Sequence, residues 1–144
     1  MTQTQNTFRY GLLGCGMMGQ EHLRNMALLP EVQAVAIYEP DASMRATALA
    51  LAPQARAVDS MDMLIDAPDV DALIITSPNF CHAEQLLAIA QRRPLPILVE
   101  KPVCTDLADV TKLKALAQNY TKPIWTAMEY RYMPPIAEFL CQVH

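Results

Sequence analysis

Apolar residues come in two rhythms along this chain. Short runs rich in branched side chains alternate with longer stretches in which every third or fourth residue is apolar, and Pro, Gly, Asp or Asn bound the short runs. The first rhythm suits strands and the second suits helices packed on them. Strands are expected at RYGLLG (9–14), AVAIY (34–38), RAVD (56–59), DALIIT (71–76), ILVE (97–100) and IWTA (124–127). The fourth and fifth are apolar on both parities, as in a parallel sheet whose two faces are covered by helices. Between them, Ala83, Leu86, Leu87 and Ala90 fall at i, i+3, i+4 and i+7 and draw one apolar stripe along a helix. The segment from Asp106 to Asn119 repeats this less cleanly with Val110, Leu113 and Ala117, after an N-cap at Thr105 or Asp106. Asp41 reads as an N-cap for the helix that follows Pro40. Alternation of this kind predicts an α/β fold, a doubly wound parallel sheet with helices on both faces.

Composition narrows the partners. With 52% of residues hydrophobic and 18% charged, the chain is of ordinary globular type, and 144 residues make about one domain. The net charge of −4 and the scattered basic residues offer no stripe for a phosphate backbone, so nucleic acid is not an expected partner. No apolar run approaches the roughly 20 residues that span a bilayer, and MTQTQNTFRYG has neither an apolar signal core nor a basic flank. A cytoplasmic protein without membrane contact is expected. Cys15, Cys81, Cys104 and Cys141 lie far apart, with no CxxC pair or His/Cys cluster, and are expected to be reduced thiols without a metal.

Chemistry enters at GCGMMG, which follows the first strand and leads into a helical segment with Leu23, Met26 and Ala27 on one face. This is G-x-G-x-x-G in the position where a strand–turn–helix holds a dinucleotide: Gly14 for the tight turn, Gly16 for close approach of a diphosphate, Gly19 for close packing of helix on strand. The helix N-terminus would offer N–H groups to the phosphates, with Cys15, Met17 and Met18 among the expected contacts. Glu39, about 20 to 25 residues beyond the glycines, ends the second strand where a carboxylate can accept from ribose hydroxyls. It would repel the extra phosphate of NADP, so NAD is the expected cofactor. Arg45 is either a solvated helix-face residue or a group that bends back toward a 2′-phosphate.

The fourth strand runs into ITSPNFCHAEQ, the fifth into VEKPVCTDLADV and the sixth into TAMEYRYMPPIAEF. With GxGxxG these segments resemble the N-terminal half of the glucose-fructose oxidoreductase and inositol dehydrogenase (Gfo/Idh/MocA) family, which carries a T-P-N-x-x-H-like segment, E-K-P and G-F-x-x-R-x-x-P in that order. The resemblance runs from Gly11 to about Pro135. It implies a Rossmann-like fold and places Lys101, flanked by Glu100 and Pro102, beside the nicotinamide and the reacting hydroxyl. Such a lysine can donate to the hydroxyl oxygen and stabilise developing alkoxide charge. Pro102 biases Lys101 toward extended backbone. The resemblance also implies that Thr76, Ser77, Pro78 and Asn79 line the nicotinamide side. His82, near the start of the following helix, is read either as a catalytic or cofactor-side residue or as a structural one that caps that helix or bonds loop carbonyls. Glu129 and Arg131 either face substrate or cofactor or pair at the domain edge. Ser77, Ala127 and Glu129 depart from the residues usual in the family.

Residues 1–127 are thus expected to form the dinucleotide-binding domain, and 128–144 to begin a linker helix toward a C-terminal α+β domain. That domain would supply the substrate pocket, a D-x-x-x-H pair with the general base, and the surface for homo-oligomers. His144 is expected to be incidental. The expected activity is hydride transfer between NAD and a sugar, inositol or polyol hydroxyl, with this stretch alone inactive. A non-catalytic NAD(P)-sensing module and an NAD-dependent glycosidase are the alternatives.

Overall fold

The computed structural model of the chain describes residues 7–142, so His144 lies outside the described residues. The elements are β1 (Phe8–Leu13), α1 (Met17–Met26), β2 (Val32–Tyr38), α2 (Ala42–Leu51), β3 (Arg56–Ala57), α3 (Met61–Asp66), β4 (Ala72–Ile75), α4 (His82–Arg92), β5 (Ile97–Val99), α5 (Leu107–Asn119), β6 (Ile124–Thr126) and α6 (Pro134–Gln142). The strands form one sheet in the order β3-β2-β1-β4-β5-β6, and every adjacent pair is parallel. The expected doubly wound sheet is what the chain forms.

Parallel neighbours require crossovers, and crossovers are right-handed. Winding outward from β1 to β3 therefore puts α1 and α2 on one face, and winding back through β4 to β6 puts α3, α4 and α5 on the other. The core divides accordingly. Leu12, Ala34, Ile37 and Ile74 pack with Leu23 of α1 and Ala48 of α2. Leu13, Ala36, Ile75, Ile97 and Val99 pack with Leu64 and Ile65 of α3 and Leu86 and Ile89 of α4. Leu12 and Leu13 are adjacent yet serve opposite faces, and all four residues of β4 are buried, which is why that strand reads as a continuous apolar run.

Two helical stripes sit one position away from their expected places. On α4 the buried side chains are His82, Ala83, Leu86 and Ile89, while Leu87 lines an outer depression with Glu84 and Asp109. On α5 Leu113 and Leu116 face the core and Ala117 is exposed. In each case a bulkier aliphatic side chain, Ile89 or Leu116, takes the sheet-facing position, burying more apolar area than the alanine beside it. β3 spans only Arg56–Ala57 at the sheet edge, shorter than the run 56–59 suggested.

Capping follows polar chemistry. Asp41 Oδ1 accepts from the N–H of Met44 at 2.8 Å, and Asp106 Oδ1 from that of Ala108 at 2.9 Å, so Asp106 rather than Thr105 caps α5. Beyond β6 the chain makes a 3-10 turn, Glu129–Tyr132, before α6. No helix among the described residues is long and apolar enough to cross a membrane.

Candidate nucleotide site

Strand register lines up the candidate residues along one edge of the sheet. Leu13 pairs with Tyr38 and with Ile75, and Ile75 pairs with Val99. The next residue of each strand, Gly14, Glu39, Thr76 and Glu100, therefore stands in line at the carboxyl edge. Main-chain bonds carry the ladder that one residue further: the N–H of Gly14 donates to Tyr38 O, that of Thr76 to Leu13 O, and that of Glu100 to Ile75 O. The winding direction reverses between β1 and β4, and at such a switch point the loops part and leave a crevice.

The three glycines of the β1–α1 turn are required for different reasons. Gly14 has φ of +85°, and a Cβ on it would lie 2.6 Å from both Cα and N of Ser77. A Cβ on Gly19 would meet Gly14 O at 2.6 Å and Thr76 Oγ1 at 2.8 Å. Both are demanded by the protein's own packing. Gly16 is not, because a Cβ there would meet nothing within 4 Å. It is the N-cap of α1 and has no side-chain cap, so the first-turn N–H groups at the positive end of the helix open onto that space.

Glu39 is buried with 7% exposure, and its carboxylate knits the second exit to the first. Oε2 accepts from the N–H of Cys15 at 2.6 Å, and Oε1 from that of Asp41 at 2.9 Å. Each oxygen keeps a second lone pair for a further donor. Arg45 bends back toward this exit, its Nη1 donating to the carbonyls of Glu39 at 2.6 Å and Pro40 at 3.2 Å. On the β4 side, Thr76 Oγ1 donates to Gly14 O at 2.6 Å and Ser77 Oγ to Gln85 Oε1 at 2.6 Å.

These exits enclose a cavity of about 550 Å³ lined by Gly14, Gly16, Met17, Met18, Tyr38, Glu39, Pro40, Met44, Thr76, Ser77, Pro78, Cys81 and Gln85. Its size falls within the usual range for a small-molecule cleft, and its mix of apolar walls and a few placed polar groups is typical of one. Tyr38, Met44, Cys81 and Gln85 were not singled out from the sequence. Met44 carried one signal, an apolar residue on the solvent side of the first turn of α2, but that alone does not distinguish a cleft wall from a stray surface methionine.

Several expected contacts lie elsewhere. Cys15 turns its thiol into the core and gives its N–H to Glu39. Burial, with the Glu39 carboxylate as a smaller cause, pushes that thiol up to about 12. Asn79 is exposed in a 3-10 turn outside the cleft lining, and Arg131 is exposed in the turn after β6. His82 is fully buried, with Nδ1 2.8 Å from Pro102 O and Nε2 2.9 Å from Ser77 O. It ties loop carbonyls together and does not reach the cavity. Glu100 is buried against His22 of α1, Oε1 lying 2.9 Å from Nε2. Lys101 is exposed one strand beyond the cleft, and the Lys101–Pro102 peptide bond is cis. Cys15 should therefore resist thiol reagents: at pH 8 only about one molecule in ten thousand would carry the thiolate. We expect exposed Cys141 to be alkylated in the native chain and Cys15 only after denaturation, as read by peptide mass spectrometry.

A second cavity, of about 460 Å³, lies over the apolar residues Phe8, Tyr10, Leu98, Trp125, Met128 and Tyr132. It shares no residue with the glycine cleft.

Known proteins share this fold. Residues 8–128 match the family model described as "Oxidoreductase family, NAD-binding Rossmann fold" (Gfo/Idh/MocA). The chain is 37% identical over 124 residues to an inositol 2-dehydrogenase of Leifsonia xyli subsp. xyli, covering 85% of this chain and 36% of that protein. It is 32% identical over 132 residues to the rhizopine catabolism protein MocA of Rhizobium meliloti, covering 91% of this chain and 40% of that one. Among solved structures, myo-inositol dehydrogenase from Lactobacillus casei in complex with NAD(H) and myo-inositol superposes with a TM-score of 0.85 at 23% identity, covering 95% of this chain and 41% of that one. The chain thus spans well under half the length of these relatives.

Proposed function

The chain belongs to the Gfo/Idh/MocA oxidoreductase family, whose NAD-binding Rossmann fold it matches over residues 8–128, and we propose that it serves as the cofactor domain of an NAD-dependent dehydrogenase acting on an inositol, sugar or related polyol. The observation that carries the proposal is the open space over Gly16 beside an uncapped helix N-terminus. The protein's own atoms do not require a glycine there, whereas a diphosphate does. Inositol 2-dehydrogenases among the relatives favour plain dehydrogenation over the sensing and glycosidase readings. Cytoplasmic location, homo-oligomeric assembly and a C-terminal domain beginning after residues 128–144 belong to the same proposal.

The residues fit a dinucleotide. First-turn amides of α1 would take the diphosphate, and Glu39 would accept from the adenosine ribose hydroxyls with the lone pairs its main-chain bonds leave over. The apolar side chains of Met44, Pro40 and Cys81 would wall the adenine half, and the Thr76–Pro78 exit would run toward the nicotinamide half. A bound nicotinamide ring would supply the acceptor for hydride from the carbinol carbon. Lys101 at the next strand exit would donate to the hydroxyl oxygen and stabilise the negative charge that grows there as its proton leaves. A base for that proton is expected from the second domain.

Fluorescence titration tests the cofactor. NADH should bind at least about tenfold more tightly than NADPH, because a 2′-phosphate would face a buried carboxylate. Glu39→Ser should narrow or reverse that ratio, since Arg45 would remain at the same exit. Tighter NADPH binding by the unsubstituted chain would remove Glu39 from the ribose site.

A further inference from the structure

We infer that His22 is a positioning residue for Lys101: through Glu100 it fixes the ammonium relative to the same helix that receives the diphosphate. The inference rests on the proposed role of Lys101. His22 stands one helical turn beyond Gly19, on the side of α1 that faces the sheet, and its Nε2 lies 2.9 Å from Glu100 Oε1. Their side chains are 20% and 7% exposed. A carboxylate so far removed from water requires a partner, and His22 is the side chain that meets it among the described residues. The Glu100 main chain is held as well, its N–H donating to Ile75 O at 2.9 Å. On the other flank, His82 of α4 holds Pro102 O at 2.8 Å. The residues before and after Lys101 are therefore fastened to helices on opposite faces of the sheet.

Lys101 itself is exposed, and no hydrogen bond or ion pair holds its ammonium among the described residues. A flexible four-carbon stem on a loose backbone would sample many positions, so the segment from Glu100 to Pro102 must set where the amine goes. The His22–Glu100 contact references that segment to α1 as well as to the end of β5. Diphosphate and ammonium are then located by one rigid helix, a precise way to hold two groups at a fixed separation.

Lysine acetylation of the full chain, read by peptide mass spectrometry with and without saturating NADH, tests this without relying on turnover. NADH should slow acetylation of Lys101 about tenfold in the unsubstituted chain and in His22→Gln, whose amide can still donate to Glu100. In His22→Leu the protection should fall to about twofold or less, while the Kd for NADH stays within about threefold. A purely structural role would leave protection intact wherever NADH still binds, so equal protection in His22→Leu overturns the inference alone. Absence of protection in an unsubstituted chain that binds NADH overturns the role of Lys101 and this inference with it. Should His22→Leu not fold, the double variant His22→Leu/Glu100→Leu removes the unpaired carboxylate and is read by the same criterion: lost protection supports the inference, retained protection overturns it.

Discussion

Gly16→Val will abolish NADH binding in a chain that still folds, whereas Gly14→Val will cost the fold itself. Gly16 has extended backbone, φ −65° and ψ −159°, which valine tolerates, and its Cβ would project into space with nothing within 4 Å. Replacing a glycine N-cap by a residue that caps poorly destabilises by about 1 kcal/mol, a shift of a few degrees in Tm. The cost to ligand is far larger. A branched side chain would occupy the approach to the first-turn amides, and losing the diphosphate contacts should weaken NADH by about 100-fold or more. At Gly14 the order reverses. A Cβ would sit 2.6 Å from the main chain of Ser77, and φ of +85° is a left-handed conformation. That conformation alone costs about 1–2 kcal/mol, and the backbone clash cannot be relieved by a rotamer change. A combined loss above about 4 kcal/mol is a large share of the stability of a domain this size. Thermal unfolding and NADH titration on the two variants separate the effects. Unchanged NADH affinity in Gly16→Val would mean that the diphosphate does not approach the turn and would remove Gly16 from the ligand's surroundings.

The sequence told more about the turn than about the cleft around it. Gly14, directly after an apolar run, carries its geometry in its identity, because its positive φ is backbone that glycine supplies and a local property. The alternation of strands and helices followed from periodicity, which is also nearly local, whereas the order of the strands in the sheet came only with the structure. Partners set by tertiary approach were harder to read. His22 was not singled out from the sequence, and only the register that aligns Ile75 with Val99 brings Glu100 within its reach. Glu39 was assigned to ribose, yet its carboxylate also fastens Cys15 and Asp41, which takes the Cys15 amide out of the ligand's surroundings. For His82 two roles stood open, and the ring has 0% exposure and lies between two carbonyl oxygens, as bonding the loops requires. The one-position rotation of the α4 and α5 stripes reflects a choice among adjacent apolar residues that periodicity leaves nearly degenerate.

Lys101→Ala in the full chain should lower kcat on a polyol substrate by about 10²- to 10⁴-fold, while the Kd for NADH changes by less than about threefold. The separation follows from the geometry. The glycine turn, Glu39 and the Thr76–Pro78 exit line one cavity, and Lys101 is not part of that lining. Its side chain contributes no packing that the fold depends on, being exposed at the end of β5, so loss of activity cannot be traced to unfolding. Its removal should act on the step in which charge develops on the hydroxyl oxygen, where a donor placed in advance is worth most. The same reasoning separates two conservative variants. Lys101→Met keeps the stem and loses the charge, and should match alanine. Lys101→Arg keeps the charge but spreads it over a planar fork longer than an ammonium, so it should recover only a small part of the rate. Steady-state kinetics with NAD and inositol, paired with NADH titration of each variant, is the measurement. If Lys101→Ala and Lys101→Met turn over at the unsubstituted rate, the ammonium is not at the reacting oxygen, and the Glu–Lys–Pro exit is only a strand terminus braced by two histidines.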